Sequence, residues 1–309
     1  MRGFILAAGF GTRLRPLTDH VPKAMVRVAG KPLLGHALEF FAENGIESIG
    51  VNTHYLPEQI DSYCNTSGIR FEQFHETGAI RGTGGALHFA RDFLEGDESF
   101  VISNADIIAR YSFADAKEHF ERSDAIAMLI TFPAADKGSI FFNADTFAYT
   151  GTPGESVASP HMECADFIGT VFYKREFLKY VKDNDFSVVP IWLRAVKDGA
   201  GVIVRIIRDG FWRDVGSPQA LLDIHCEIID QNVKLVIPDS INFNPFRKKC
   251  LHRSIVNNGR IGEYSWIESP QFPSDVSTFR VVSYEHAEIG DQKEFKNCII
   301  TPWGVISAV

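Results

Sequence analysis

Residues 6–32, LAAGFGTRLRPLTDHVPKAMVRVAGKP, combine the residue types that bind phosphate groups. The run follows a short apolar stretch, so we expect the chain to leave a β-strand directly into a loop. Free backbone N–H groups beside fixed positive charges are what a polyphosphate requires. The run therefore predicts a phosphate-binding loop. Its candidate groups are two glycines, one hydroxyl and three cations: Gly9, Gly11, Thr12, Arg13, Arg15 and Lys23.

Two common phosphate-binding motifs do not fit this run. A Walker A loop requires a lysine directly after its second glycine, and no lysine stands at that spacing here. The dinucleotide-binding fingerprint G-x-G-x-x-G would begin at Gly9 and Gly11, but Leu14 stands where its third glycine belongs. On these residues alone, a solvated basic loop is the alternative interpretation.

The surrounding chain alternates between predicted strands and predicted helices. This βαβ spacing predicts a mostly parallel sheet that is covered on both faces. The strands are expected at 4–6, 49–52, 70–74, 100–102, 127–132, 139–142, 167–173 and 202–207. The helices are expected at 33–41, 57–63, 86–93, 175–181 and 189–197, and again from Pro218. The glycine-rich run at residues 82–85 is expected to form a loop before its helix.

Composition and charge restrict the classes of function. The 309 residues carry a net charge of −8, which argues against a nucleic-acid binder, because phosphate contacts require a basic surface. The five cysteines stand far apart in the sequence, so neither a disulfide scaffold nor a zinc site is predicted. Their spacing instead predicts a reduced cytoplasmic location. The first apolar stretch is too short for an export signal, and no run approaches the roughly 18 apolar residues of a membrane helix.

The run at residues 6–32 matches the pattern L-x-x-G-x-G-T-R-L-x-P-L-T-x-x-x-P-K-x-x-x-x-V-x-x-K-P. It thereby resembles the signature of the sugar-1-phosphate nucleotidyltransferases, nearest to the N-acetylmuramate-1-phosphate uridylyltransferase and mannose-1-phosphate guanylyltransferase branches. The agreement is close in this run, weaker to about Leu222, and poor in the rest of the chain. The resemblance implies an α/β fold with a Rossmann-like mixed, mostly parallel sheet, similar to the GT-A fold.

The last part of the chain is predicted to form a small β-rich C-terminal lobe. Residues 1–230 would form the catalytic domain, and residues 231–309 lack helical periodicity. Ile261-Gly262 and Ile289-Gly290 faintly resemble coils of the left-handed β-helix that many relatives carry behind the catalytic domain. Because only two imperfect coils can be counted, an incomplete left-handed β-helix is the most that the lobe is expected to contain.

The implied reaction joins two anions. A phosphate oxygen of a sugar 1-phosphate attacks the α-phosphorus of a nucleoside triphosphate, and pyrophosphate leaves. Such a reaction requires a metal ion and cations rather than a covalent nucleophile. By the resemblance, Arg13 would bind the triphosphate and stabilise the departing pyrophosphate. Lys23 would reach the α-phosphate and the incoming sugar phosphate.

Two aspartates are the candidate metal ligands. Asp106 follows an apolar strand, and open α/β sheets bind ligands at the carboxyl ends of their strands. The family holds Mg²⁺ with an aspartate at this point, and Asp214, in the run WRDVG, matches its second metal aspartate. Two carboxylates with phosphate oxygens suit Mg²⁺, which keeps several water ligands. The alternatives are a turn-capping Asp106 and an Asp214 that is merely favoured by a helix dipole.

The resemblance also implies the groups that contact each substrate. The glycine-rich run at residues 82–85 would meet the nucleobase, although glycine-rich turns before helices are common. The expected nucleotide-binding residues are Leu6, Ala7, Ala8, Gly9, Gly11, Thr12, Arg13, Gly82, Thr83, Gly84 and Asn104. The expected residues for the sugar phosphate are Lys23, Gly138, Gly169 and Thr170.

The acceptor sugar is less sharply indicated than the reaction. Many relatives carry a Glu-Lys-Pro triplet that grips the sugar and its phosphate, whereas residues 149–155 read YTGTPGE here. The muramic-acid branch also lacks the triplet and has an asparagine before its metal aspartate, as Asn104 is here. Uridylyl transfer from UTP onto a hexose 1-phosphate of cell-envelope pathways is therefore favoured. Guanylyl transfer onto a mannose- or heptose-type phosphate comes next.

Two rival functions and the oligomeric state stay open. The first rival is a catalytically silent regulatory subunit that senses a sugar nucleotide on the same fold. Such relatives lose the metal aspartates or the signature cations, and both sets are present here. The second is a cytidylyltransferase that acts on phosphocholine. The predicted partners are an NTP and a sugar 1-phosphate, and a homo-oligomer is compatible with the sequence.

Overall fold

The computed structural model describes residues 1–244, 246–255 and 260–308. The chain folds into two compact units. The first comprises Met1–Gly9 and Leu34–Trp212, and the second comprises Phe10–Leu33 and Arg213–Val309. The predicted domain boundary at residue 230 stays a prediction.

Twenty strands lie in the described residues, and all but one contain two to eight residues. In the first part of the chain they are β1 (Arg2–Leu6), β2 (Arg27–Val28), β3 (Lys31–Pro32), β4 (Ile49–Thr53), β5 (Glu72–His75), β6 (Ser99–Asn104), β7 (Ile107–Arg110), β8 (Ala127–Pro133), β9 (Ile140–Asn143) and β10 (Tyr149–Thr152). The later strands are β11 (Glu155–Ser156), β12 (Met162–Lys174), β13 (Val202–Ile206), β14 (Phe211–Asp214), β15 (Ile241–Asn244), β16 (Lys249–His252), β17 (Ser265–Ile267), β18 (Ser277–Ser283), β19 (Glu294–Thr301) and β20 (Gly304–Ser307).

The helices of the described chain separate many of these strands. The α-helices are α1 (Leu33–Glu43), α2 (Pro57–Thr66), α3 (Gly82–Phe89), α4 (Arg91–Leu94), α5 (Phe113–Arg122), α6 (Val189–Lys197) and α7 (Pro218–Ile229). The 3-10 helices are Thr12–Leu14, Leu17–Asp19, Lys23–Met25 and Arg175–Tyr180. None of the helices in the described ranges is long and apolar enough to cross a bilayer.

A large mixed sheet forms the core of the first unit. Its central strands run in the order β6-β1-β4-β5 and are all parallel. Strand β12 joins them antiparallel to β6 and connects to β8 and β9, while β13 pairs parallel with β8. Every residue of β4 is buried, as expected for a strand that is covered on both faces. The predicted mixed α/β class with parallel central strands is confirmed.

Several details differ from the expectations, and the differences at α5 and β12 follow from local composition. Helix α5 was not predicted, because charged residues surround the three side chains that it buries. Strand β12 begins five residues earlier than expected, because its first two residues are exposed and its continuous apolar run starts only at Phe167. The helix expected at 175–181 is a 3-10 helix. Helix α3 already begins at Gly82, so residues 82–85 are its first turn rather than a preceding loop.

The second unit contains a separate sheet in the order β15-β16-β17-β18-β19-β20. Strands β16 to β19 are parallel and adjacent in sequence order. Their partners Lys249, Ser265 and Val281 are equally spaced along the chain, as expected for a repeating coil. The predicted β-rich C-terminal lobe is confirmed, and its left-handed β-helical character stays a prediction. Ile289 and Gly290 lie outside its strands.

Candidate active site

The carboxyl ends of three neighbouring strands meet in the first unit. In the register of the sheet, Leu6 at the end of β1 lies between Asn52 of β4 and Asn104 of β6. The N–H of Ala105 donates to the carbonyl of Leu6, with 3.0 Å between nitrogen and oxygen. Asp106 follows in the turn between β6 and β7 and is partly buried. The structure thus brings Leu6, Asn104 and Asp106 to one edge of the sheet, where open α/β sheets bind ligands.

A buried polar network shapes this edge, and the sequence analysis missed it. The Ala7 N–H donates to Asn52 Oδ1 at 2.7 Å, so it is not available to a ligand. Asn52 Nδ2 donates to Glu76 Oε1 at 2.8 Å, and the backbone N–H of Arg81 donates to Glu76 Oε2 at 2.8 Å. Glu76 is 1% exposed. A buried carboxylate needs partners, and the partners of Glu76 link the start of the signature loop (residues 6–32) to the start of α3. The rule that indicated Asp106, a polar residue at the end of an apolar strand, would also have indicated Asn52.

Two residues predicted to bind the sugar phosphate lie beside the predicted nucleotide-binding Asn104. Gly169 has a φ of +72°, and a Cβ atom there would lie 2.7 Å from Asn104 Nδ2. Glycine is therefore required at Gly169 both by the backbone conformation and by the close approach. The hydroxyl groups of Thr170 and Ser103 are 3.1 Å apart and buried. These contacts group Gly169, Thr170 and Asn104 at the junction of β6 and β12.

Gly138 contacts a different part of β12. Its φ is +65°, and a Cβ atom there would lie 2.8 Å from Cys164 Cβ and 3.0 Å from the Ala165 nitrogen. Glycine at this position is explained by its turn and by its contact with the strand. Its place in a sugar pocket stays a prediction.

The glycine-rich first turn of α3 packs closely against another loop of the same unit. Gly82 has a φ of +70°, and a Cβ atom there would clash with the Phe186 carbonyl oxygen. The Gly84 N–H donates to that carbonyl at 3.0 Å, and the Val188 N–H donates to Thr83 Oγ1 at 3.0 Å. Close packing thus accounts for glycine at these positions. Recognition of a nucleobase by Gly82, Thr83 and Gly84 stays a prediction.

In the second unit, Gly11 places the backbone of the signature loop against Lys23. Gly11 has a φ of +64°, and a Cβ atom there would lie 2.8 Å from Lys23 Cβ and 2.9 Å from Thr18 Cγ2. Thr18 Oγ1 donates to the Gly11 carbonyl at 2.8 Å. The 3-10 turn Thr12–Leu14 begins directly after Gly11, and its first N–H groups have no acceptor within the turn. The predicted cation and the predicted N–H donors therefore lie on one compact loop.

We expect the Gly11→Ala variant to be destabilised, because the added methyl group meets Lys23 and Thr18 in a left-handed backbone. The loss should be about 1–3 kcal/mol of unfolding free energy. Gly9→Ala is the matched control, because a Cβ atom at Gly9 has nothing within 4 Å. Chemical denaturation of the two variants measures the difference. Equal stabilities would contradict the close packing of Gly11 on Lys23.

Arg13 and Asp214 form an exposed ion pair in the second unit. Arg13 Nη2 lies 3.4 Å from Asp214 Oδ2, and the side chains are 66% and 40% exposed. Gly216 gives them room, because a Cβ atom there would lie 2.5 Å from Arg13 Nη2 and 2.8 Å from Asp214 Oδ1. An exposed pair at this distance contributes little to stability. Both groups therefore remain accessible to a phosphate or a cation.

The described residues contain no group of three or more His, Cys, Asp or Glu side chains arranged as a metal centre. Asp106 and Asp214 are the predicted metal ligands, and each belongs to a different unit. Both offer carboxylate oxygens, the donors that Mg²⁺ prefers. Their role as metal ligands stays a prediction.

A family model described as Nucleotidyl transferase matches residues 2–231 of this chain. The chain belongs to the nucleotidyl transferase family. The predicted resemblance to the sugar-1-phosphate nucleotidyltransferases is thereby confirmed at the level of the family, and so is the prediction of a nucleotidyltransferase enzyme. The matched residues include every predicted site residue, whereas most of the C-terminal lobe of this nucleotidyl transferase lies beyond them.

Individual relatives agree with this membership. The chain is 31% identical to an N-acetylmuramate alpha-1-phosphate uridylyltransferase of Caulobacter vibrioides over 71% of this chain and 93% of that protein. It is 27% identical to a mannose-1-phosphate guanyltransferase beta-B of Xenopus laevis over 79% of this chain and 69% of that protein. The structure of HddC from Yersinia pseudotuberculosis complexed with GMP-PN has the same fold. Its TM-score is 0.59 at 22% identity, over 72% of this chain and 96% of that one.

Proposed function

We propose that this nucleotidyl transferase moves a nucleoside monophosphate from an NTP to a sugar 1-phosphate and releases pyrophosphate. The observation that carries the proposal is the loop of the second unit, where Arg13 lies beside Asp214 and Lys23 lies against Gly11. An exposed arginine and a partly buried lysine beside the backbone of Gly11 can bind a triphosphate and approach the reacting phosphate. The names of two relatives describe transferases that act on sugar 1-phosphates, and they support the same class of reaction.

The residue roles follow from the charges. Arg13 would bind the triphosphate and stabilise pyrophosphate as it leaves, and Lys23 would draw the α-phosphate and the sugar phosphate together. Because both substrates are anions, cations that oppose their repulsion lower the barrier to reaction. The remaining nucleotide-binding groups would be Leu6, Ala7, Ala8, Gly9, Gly11, Thr12, Gly82, Thr83, Gly84 and Asn104. Gly138, Gly169 and Thr170 would contact the sugar.

We further propose that the reaction requires a divalent metal ion, namely Mg²⁺. Asp106 and Asp214 fit such an ion by the chemistry of their oxygens. Asp214 has its 3.4 Å contact with Arg13 at one oxygen, which leaves its other oxygen for a cation. Bound metal would neutralise charge on the phosphates. The two carboxylates would orient it.

The favoured reaction is uridylyl transfer from UTP onto a hexose 1-phosphate that enters the cell envelope. The absence of a Glu-Lys-Pro triplet at residues 149–155 supports an acceptor pocket that recognises shape and backbone more than charge. The name of the Caulobacter vibrioides relative supports the same choice. Guanylyl transfer is the second candidate, supported by the name of the Xenopus laevis relative. A cytoplasmic location belongs to the same proposal.

A substrate screen tests this function. The four common NTPs are each combined with a panel of sugar 1-phosphates and with phosphocholine, and release of pyrophosphate is measured. We expect saturable turnover with UTP and a hexose 1-phosphate, and none without a divalent metal. Preferential use of GTP would replace the nucleotide but keep the class. Turnover only with CTP and phosphocholine would establish the cytidylyltransferase, and no turnover with any pair would favour the regulatory subunit.

A further inference from the structure

The signature loop ends in a hairpin with a strained turn. Strands β2 and β3 pair antiparallel, and Ala29 and Gly30 connect them with φ values of 50° and 78°. Glycine accepts a positive φ readily, whereas alanine does not, so Ala29 must be held by its surroundings. The hairpin begins two residues after the 3-10 helix Lys23–Met25. Whatever holds this turn therefore also restricts the position of Lys23.

Residues about 200 positions further along the chain hold the two turn residues. The Ala29 N–H donates to His225 Nε2 at 3.2 Å. His225 is fully buried, and its Nδ1 donates to the Leu221 carbonyl at 2.8 Å, which leaves Nε2 as the acceptor. A Cβ atom at Gly30 would lie 2.6 Å from Pro238 Cγ. Helix α7 and the start of the C-terminal lobe thus enclose the turn.

A buried carboxylate of the lobe faces the first residue of the hairpin. Glu268 is 6% exposed, and its Oε2 lies 3.8 Å from Arg27 Nε. Trp266 Nε1 donates to Glu268 Oε1 at 3.0 Å, and Tyr284 Oη donates to the Arg27 carbonyl at 2.9 Å. Glu285 lies on the exposed side of the same guanidinium, 3.7 Å from Arg27 Nη1.

Burial and the neighbouring cation act on the Glu268 carboxyl in opposite directions. Burial raises the pKa of the Glu268 carboxyl, while the Arg27 guanidinium and the Trp266 indole N–H oppose the rise. A buried carboxylate without a cation would be costly, so the Arg27 guanidinium, which also donates to the Gly30 carbonyl, stabilises Glu268 across the 3.8 Å gap. The lobe also contacts the signature loop ahead of Lys23. There the rings of His20 and Trp303 stack with centroids 4.7 Å apart.

We propose that the C-terminal lobe positions the signature loop for catalysis and that Glu268 is its central positioning residue, supported by Tyr284. The proposal rests on the proposed function, since it assigns Lys23 and Arg13 to the reaction. The lobe would hold the hairpin through Arg27, and the hairpin would hold Lys23. Misplacement of a charged group by about 1 Å can cost two orders of magnitude in rate, so a distant support can control turnover.

The activity test compares three variants. Glu268→Gln keeps the shape but removes the charge opposite Arg27, and Tyr284→Phe removes only the hydroxyl donor. Asp275→Asn is the matched control, because Asp275 pairs with Lys293 elsewhere in the lobe at 2.6 Å. We expect kcat to fall about tenfold in the first two, with KM and the thermal midpoint close to wild type. The control should keep the wild-type kcat.

Limited trypsin digestion tests the same proposal without using activity. The scissile bonds are Arg13–Leu14 and Lys23–Ala24, and Lys137–Gly138 in the first unit is the internal reference. We expect Glu268→Gln and Tyr284→Phe to be cut several-fold faster at the first two bonds relative to the reference. Unchanged cleavage in both variants, or equal changes in Asp275→Asn, would overturn the proposal. Faster cleavage in a protein that fails the substrate screen would overturn the proposed function alone.

Discussion

Replacing Asp106 by asparagine is expected to abolish nucleotidyl transfer while the fold stays intact. Asp106 lies in the turn after β6, at the edge of the sheet where Leu6 and Asn104 also lie. Asparagine keeps the size of the side chain but loses the negative charge that would hold a divalent metal. Loss of a metal that neutralises charge in the transition state should raise the barrier by several kcal/mol, so the rate should fall about a thousandfold or more.

The measurement is pyrophosphate release with the substrates found in the screen, at several concentrations of Mg²⁺. Asp124→Asn is the matched control, since Asp124 is an exposed carboxylate of the same unit that is assigned no role. Circular dichroism of both variants checks the fold. The metal assignment would be wrong if Asp106→Asn turned over near the wild-type rate in the presence of EDTA.

The Lys23→Ala variant is expected to lose most of its kcat and little of its nucleotide affinity. The ammonium group would offset the repulsion that grows as the two anions approach each other. Its removal therefore destabilises the transition state more than the bound substrate. Removal of one such donor typically lowers the rate by about 100-fold to 1,000-fold. Arg13→Ala should instead damage both kcat and KM, because Arg13 is assigned to the triphosphate in the ground state as well.

Steady-state kinetics of the two variants separate these roles. Lys137→Ala serves as the control for loss of a positive charge, because Lys137 is an exposed lysine of a loop in the other unit. A Lys23→Ala variant with full kcat would show that Lys23 is only a surface charge. A Lys23→Ala variant that raises KM alone would assign it to substrate binding.

The sequence alone was sufficient to predict the family, the class of reaction and the order of the first major strands and helices. All the groups of the signature loop stand within residues 6–32, and the spacing within a loop is local information. The apolar runs that became β1, β4 and β6 were recognisable because strands buried on both faces are continuously apolar. Helix α5 was missed because charged residues surround its buried side chains, and the start of β12 was missed because Glu163 and Asp166 interrupt its apolar pattern.

The tertiary structure alone decided which distant residues hold that loop. Asn52 and Glu76 take the backbone donors of Ala7 and Arg81, and Glu268 of the lobe faces Arg27. Asn52, Glu76 and Glu268 do not belong to any sequence motif that could have indicated them. A buried amide or carboxylate becomes a support only when strand register and packing bring it to an unsatisfied donor or cation. Local spacing determines which groups a loop carries, whereas long-range packing determines which partners satisfy them.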